Sequence, residues 1–295
     1  GGKFSDKNYA TSGGLHGVGI SVVNALSEKL TVEVTKNKVC YSQSFSKGIP
    51  LDKIKKVGKS KIKSGTKIIF SPDKAIFSSN KFFNAKTVYE LAKSKAYLFS
   101  GVTIDWKAPN IRSNDLNQMP TAERFHFENG LMDLVNSNTA DKFNITNDYF
   151  MGDADFKEKF DPKEKGSIKW CACFNTYNPV IKSFCNTIPT SEGGTHQSGF
   201  LNAIAKGFKS YIELIGDKKF SVINKDDVQE IISSAISVFV EQPQFVGQTK
   251  DKLSNLEVQK KVEGTIRDRF ENWLANDKAR TCLLYTSDAA DDMAS

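Results

Sequence analysis

The sequence predicts an α+β protein in two parts, on three observations. Short alternating apolar segments recur through the first half, residues 197–215 carry a long helical pattern in the second, and 295 residues suffice for two domains with separate cores. The first element follows the run Ser12-Gly13-Gly14-Leu15-His16-Gly17-Val18-Gly19. Ile20, Val23, Leu26 and Leu30 recur at roughly helical spacing, so a helix begins near Val18. Glycines ahead of a helix let backbone N–H groups approach an anion, and the helix dipole favours negative charge there. The run therefore reads as a nucleotide phosphate cradle, with an ordinary tight connection as the plain alternative. It lacks the Gly-Lys-Ser/Thr ending of a P-loop, and the polar, turn-rich residues 1–12 are no Rossmann strand. They suit a lid.

Residues 30–34 and 39–45 alternate in polarity around Lys36-Asn37-Lys38, as a hairpin does, and residues 61–70 give another strand. Asn84 can cap a helix running to about Phe99, with Val88, Leu91, Ala92 and Leu98 on one face; residues 102–106 return as a strand. Residues 108–122 are polar and read as a linker or long surface loop. Residues 125–135 look like the last strand and helix of a first domain, which places a boundary near residue 137. Beyond it, residues 167–174 and 182–188 read as paired strands. The helix over 197–215 sets Phe200, Ile204, Phe208, Tyr211 and Leu214 at core spacing. Asn224-Lys225-Asp226-Asp227 opens a short helix, residues 233–240 form a strand, and 256–274 a final helix.

Composition narrows the class. With 39% apolar and 25% charged residues the chain reads as soluble and globular. No apolar run approaches the roughly 20 residues needed to cross a bilayer, and no signal peptide opens the sequence, so a cytoplasmic, membrane-free protein is expected. Cys40, Cys171, Cys173, Cys185 and Cys282 are too scattered for a zinc site and read as buried, reduced thiols. The formal net charge is +7; residues 280–295 hold one basic and three acidic groups, which leaves +9 on residues 1–279. That sign suits work beside DNA, although only five of 41 basic residues are arginine, and a solvated lysine-rich surface explains it equally.

The run from Gly1-Gly2-Lys3-Phe4-Ser5 through Ser12-Gly13-Gly14-Leu15-His16-Gly17-Val18-Gly19-Ile20-Ser21-Val22-Val23-Asn24-Ala25-Leu26-Ser27 resembles the ATP lid of the type IIA topoisomerase ATPase subunits. These are the B subunits of bacterial gyrase and topoisomerase IV, and Phe4-Ser5-Asp6-Lys7-Asn8-Tyr9 is more similar to the topoisomerase IV branch. Cys185-Asn186-Thr187-Ile188, Glu192-Gly193-Gly194-Thr195-His196 and Gln244-Phe245-Val246-Gly247-Gln248-Thr249-Lys250 resemble the transducer domain of the same subunits. The resemblance implies a partial Bergerat-type (GHKL) ATPase α/β sandwich over residues 1–137 and a transducer like ribosomal protein S5 domain 2 over 138–279. Residues 280–295 break the family pattern and look like an artefactual tail.

The resemblance also implies roles. Gly14, Leu15, His16, Gly17, Val18 and Gly19 match lid positions that wrap the triphosphate, with Ile20 at their edge; Lys3 and Tyr9 match lid residues that contact the nucleotide. Thr66 of Gly65-Thr66 matches a hydroxyl that supports adenine recognition, where a routine buried strand threonine is the plain alternative. Gln248 and Lys250 match a loop that reaches the terminal phosphate, a task suited to a carboxamide donor and a mobile ammonium. His16 is expected as a phosphate-side contact and His196 as a cap or orienter of the helix it opens.

The family's general base glutamate, magnesium-ligating asparagine and Asp-x-Gly-x-Gly motif precede the lid, and none occurs in this sequence. No catalytic or metal-ligating residue is therefore assigned, and the isolated polypeptide is expected not to hydrolyse ATP. For the intact enzyme the resemblance implies ATP and Mg2+ as cofactors. It implies as partners a second copy of the ATPase subunit, the strand-cleaving A subunit and double-stranded DNA, with strand passage, decatenation and relaxation as the outcome. Two alternatives stay open: the gyrase rather than the topoisomerase IV branch, and a non-enzymatic basic nucleic-acid-binding module, which leaves the lid without a purpose.

Overall fold

The computed structural model describes residues 18–77, 83–108, 119–139, 144–146, 148–156, 166–175, 177–216 and 223–276. They divide into two compact units, one ending at Asn84 and one beginning at Ala85.

In the first unit, helix α1 (Gly19–Ala25) leads into strands β1 (Ser27–Lys36), β2 (Val39–Ser46), β3 (Ile49–Pro50), β4 (Lys55–Lys59) and β5 (Gly65–Pro72). The sheet runs β3-β2-β1-β5, with β4 also on β2, and its pairs are antiparallel. The expected hairpin is there: Asn37 and Lys38 take φ of 52° and 64°, the left-handed pair that a two-residue type I′ turn demands, and Lys36 sits opposite Val39. The strand expected over 61–70 starts late, at Gly65. Strand β4 was not foreseen, because Lys55-Lys56-Val57-Gly58-Lys59 offers one large apolar side chain and so no alternation to read.

The second unit is built on a five-stranded sheet of order β11-β10-β12-β9-β8. Its strands are β8 (Phe150–Asp155), β9 (Gly166–Phe174), β10 (Ile181–Cys185), β11 (Ile188–Pro189) and β12 (Ile232–Val240). Contrary to the expected pairing, β9 and β10 are not neighbours: β12 lies between them, antiparallel to β9 and parallel to β10. A parallel partner requires a crossover, and the chain supplies it through α4 (Thr195–Ile215) and α5 (Lys225–Ile231). Asn224 caps α5 in a full capping box with Asp227, as the sequence indicates.

Alternation along β9 sorts the two cores. Ile168, Trp170, Ala172 and Phe174 face α4 and the last helix α6 (Leu256–Ala275), and meet Phe200, Phe208, Ile266 and Phe270 there. Cys171 and Cys173 face the other way, against Tyr97 of α2 (Ala85–Leu98) and Leu134 and Val135 of α3 (Leu131–Asn136). Both are buried outside any disulfide, as is Cys185; burial pushes the thiols of Cys171 and Cys185 up to about 12, so those two stay protonated and inert. Cys40 is free and half-buried, and Cys282 lies outside the described residues.

The packing division after Asn84 falls well ahead of the boundary expected near residue 137, because α2 and α3 share a core with the second sheet. Strands β6 (Thr103–Lys107) and β7 (Ala122–His126) form a separate antiparallel pair between those helices in sequence. The end of the expected linker is anchored: Met119 is buried and the Trp106 indole donates to the Pro120 carbonyl. Among the described residues no helix is long and apolar enough to cross a membrane.

Candidate nucleotide-phosphate site

The strongest candidate grows out of the end of β12. Asn186, in the turn between β10 and β11, donates from Nδ2 to the Val240 carbonyl at 2.8 Å and accepts from the Val240 N–H at 2.9 Å, which pins the strand's last residue. The chain then leaves as a loop whose two sides bond each other. Ser254 N–H donates to the Gln244 carbonyl, Val246 N–H donates to the Lys252 carbonyl, and Phe245 bridges Leu253. The tip holds Gly247, Gln248, Thr249 and Lys250, with φ of 80° at Gly247 and 62° at Lys250.

This loop is fastened to the segment before α4. Glu192 N–H donates to the Asp251 carbonyl, Leu253 N–H to Gly193, and Thr195 N–H to Leu253. Two stretches far apart in sequence, Glu192-Gly193-Gly194-Thr195-His196 and Gln248-Thr249-Lys250, thus share one hydrogen-bonded base. Gln248 and Lys250 are exposed, and the Lys250 ammonium rests 5.9 Å over the centre of the Phe245 ring. A terminal phosphate fits such a tip: a carboxamide donor and a mobile cation stand two residues apart on a braced backbone.

Sequence reasoning missed Asp251 and Ser191. The Thr249 hydroxyl and the Ser191 hydroxyl both donate to the Asp251 carboxylate, and these bonds hold it below its ordinary range. Ser191 Oγ lies 2.8 Å from Asp251 Oδ1. No periodicity links residue 191 to residue 251, so no sequence signal pointed to them.

His196 is corrected. It is not a cap: Gly194 is the N-cap residue of α4 and no side chain caps that end. The ring is instead fully buried, with Nε2 3.1 Å from Thr190 Oγ1, and Nδ1 has no partner among the described residues. Burial pulls its pKa down from 6.5 to about 4. The unfolded chain takes a proton near pH 6.5 and the folded chain resists to about pH 4, so this contribution to stability is present above 6.5 and lost as pH falls through that window. Removing the titration with His196→Asn is expected to abolish on the order of 3 kcal/mol of the stability lost on the acid side in equilibrium unfolding. An unchanged slope overturns the assignment.

The lid positions are only partly visible. Lys3, Tyr9, Gly14, Leu15, His16 and Gly17 lie outside the described residues. Val18 and Ile20 are exposed, and Gly19 starts α1 in open space, as expected of a helix beginning near Val18. Thr66 sits on β5 opposite Val34 of β1 and is exposed, so it is not the routine buried threonine of the plain alternative. Among the described residues no three His, Cys, Asp or Glu side chains converge to hold a metal.

The sequence pattern of DNA gyrase B matches residues 130–290, more than half of the chain. The chain belongs to the DNA gyrase B family. Within that family it is 44% identical over 276 residues to the B subunit of DNA topoisomerase 4 from Bartonella bacilliformis, covering 94% of this chain and 39% of that protein. It is 42% identical over 299 residues to the corresponding protein of Caulobacter vibrioides, covering 99% and 42%. The chain thus spans about two fifths of the relatives it matches. Among solved structures of the gyrase B family, the 43K ATPase domain of Thermus thermophilus gyrase B, in complex with an aminocoumarin, superposes with a TM-score of 0.72 at 26% identity, covering 92% of this chain and 70% of that one. The topoisomerase IV ATP-binding domain of Francisella tularensis, in complex with a small-molecule inhibitor, gives 0.68 at 29% identity, covering 95% and 73%. The mixed α/β fold is shared with these solved structures.

Proposed function

We propose that the chain is the lid and transducer region of the ATPase subunit of a topoisomerase IV, and that it couples ATP binding and hydrolysis to passage of one DNA duplex through another. The observation that carries this reading is the braced tip of residues 247–250, which presents Gln248 and Lys250 on the base shared with residues 192–196. In this reading residues 1–137 belong to the ATPase domain and 138–279 to the transducer. Gly14 to Gly19, Ile20, Lys3 and Tyr9 wrap the nucleotide, and the Thr66 hydroxyl supports adenine. Gln248 donates to the terminal phosphate and Lys250 neutralises it; hydrolysis removes that contact, so the transducer's orientation reports nucleotide state. ATP binding dimerises two copies of the ATPase subunit over a captured duplex, and the A subunit cleaves the duplex through which it passes. The positive charge of residues 1–279 faces DNA in the cytoplasm. Magnesium accompanies ATP in the intact enzyme.

Two features favour topoisomerase IV over gyrase: the form Phe4-Ser5-Asp6-Lys7-Asn8-Tyr9 and the relatives of 42 to 44% identity, which are topoisomerase IV proteins. The test is ATP turnover by the full-length protein assembled with its A subunit and DNA. Lys250→Ala is expected to cut kcat by at least about tenfold, the effect of roughly 1.4 kcal/mol lost from the transition state. Unchanged turnover overturns the role of the lysine.

A further inference from the structure

We infer that Asp251 and Ser191 are positioning residues for Lys250: the carboxylate gathers the Thr249 and Ser191 hydroxyls and so sets the backbone that presents the lysine. The inference rests on the reading of Lys250 as the ligand of a terminal phosphate.

Lys250 takes φ of 62°, the left-handed region that an L residue other than glycine, asparagine or aspartate adopts at a cost, and it does so in an exposed loop where its ammonium lies over the Phe245 ring. Such a conformation persists only where neighbouring contacts over-determine it. Bonds of three kinds meet at the residue that follows. The Asp251 carbonyl accepts from Glu192 N–H at 3.0 Å, which ties the backbone to the segment before α4. Its side chain accepts the Thr249 hydroxyl from the residue just before Lys250. The same carboxylate accepts the Ser191 hydroxyl at 2.8 Å, which ties the tip sideways to the fixed base. Lys250 is thus bracketed on both sides by one carboxylate.

Lys252 and Leu253 continue the tie. Val246 N–H donates to Lys252, and Leu253 exchanges bonds with Gly193 and Thr195. The base is therefore rigid up to Asp251 and free beyond it, and the last fixed group before the lysine is this side chain. A shorter or neutral apolar side chain at 251 would leave Thr249 and Ser191 without their common acceptor, and Lys250 would sample the extended region as well as the left-handed one. The ammonium would still be present but less often aimed. Binding of nucleotide, spread over many contacts, should barely change, whereas the step that needs the lysine in place slows.

The experiment uses the full-length protein with its A subunit and DNA. Asp251→Ala and Ser191→Ala are each expected to lower kcat about fivefold, the size of one net hydrogen bond, with KM for ATP little moved. Asp251→Asn, which keeps an acceptor oxygen, recovers part of that loss. In the Lys250→Ala background Asp251→Ala adds nothing, a pattern that a merely structural role does not produce. Amide hydrogen exchange over residues 248–252 is followed in parallel and is expected to accelerate in Asp251→Ala. Unchanged exchange and unchanged kcat in Asp251→Ala, with Lys250→Ala still impaired, overturn the positioning role. Faster exchange in Asp251→Ala combined with normal turnover in Lys250→Ala overturns the phosphate reading on which it rests, while the clamp itself stands as a structural fact.

Discussion

Phe270→Ala is expected to lower the unfolding free energy by about 4 kcal/mol, the upper part of the range for removing a buried aromatic ring. The ring is fully buried where α6 crosses α4, and it is a hub: its centre lies 5.0 Å from Phe208, 5.1 Å from Phe150, 5.7 Å from Trp273 and 5.9 Å from Phe174. The helices and β9 hold their places through other contacts, so the space left behind cannot collapse cheaply, and the cost includes a cavity as well as lost burial. Gly207 shows how closely the ring fits, since a Cβ there would lie 2.6 Å from it. Denaturant unfolding followed by the fluorescence of Trp273, which stacks on Phe270, reads the loss directly. A fall below about 1 kcal/mol with unchanged slope overturns the hub.

Gly194→Ala is expected to cost about 3 to 4 kcal/mol, because two penalties coincide at one residue. Its φ of 131° lies in the left-handed region, and an added Cβ would run into the Leu253 carbonyl oxygen and lie 2.5 Å from the Leu253 nitrogen. Backbone cannot rotate aside as a long side chain can. The parallel bridge between Gly194 and Leu253 has to open, and with it the base that carries Asp251 and Lys250. Amide exchange at Leu253 and Thr195 is therefore expected to rise together with the loss of stability. Protection unchanged at Leu253 in a folded Gly194→Ala variant overturns the close approach.

Local chemistry made much of this chain legible. The left-handed pair at Asn37 and Lys38, the capping box at Asn224 and Asp227, the apolar stripe of α4 from Phe200 to Tyr211 and the burial of Cys171 and Cys173 are all decided within a few residues, so pattern reading finds them; Leu214, expected on the same stripe, is exposed because the core ends before it. Strand β4 escaped because its side chains give no alternation, and the pairing of β9 with β10 was misread because a strand's pattern names its faces but not its neighbours. The capping half of the His196 expectation fails for a related reason: a histidine after Gly-Gly-Thr looks like a helix cap, and only the packing around it shows that it is buried and bonded to Thr190.

For the candidate site the split is the same. The sequence by itself determined which groups are on offer: a glycine run ahead of a helix, the Gln248-Thr249-Lys250 run, a lysine-rich charge of one sign and the membership that residues 130–290 carry. Only the tertiary structure decided that β12 is inserted between β9 and β10, that α2 and α3 share a core with that sheet, and that residues 191–195 and 249–254 close into one base. The reason is physical. Propensity, capping and turn geometry act over a few residues and are written locally, whereas the bond from Ser191 to Asp251 spans sixty residues and exists only once packing has brought the two strands of chain together.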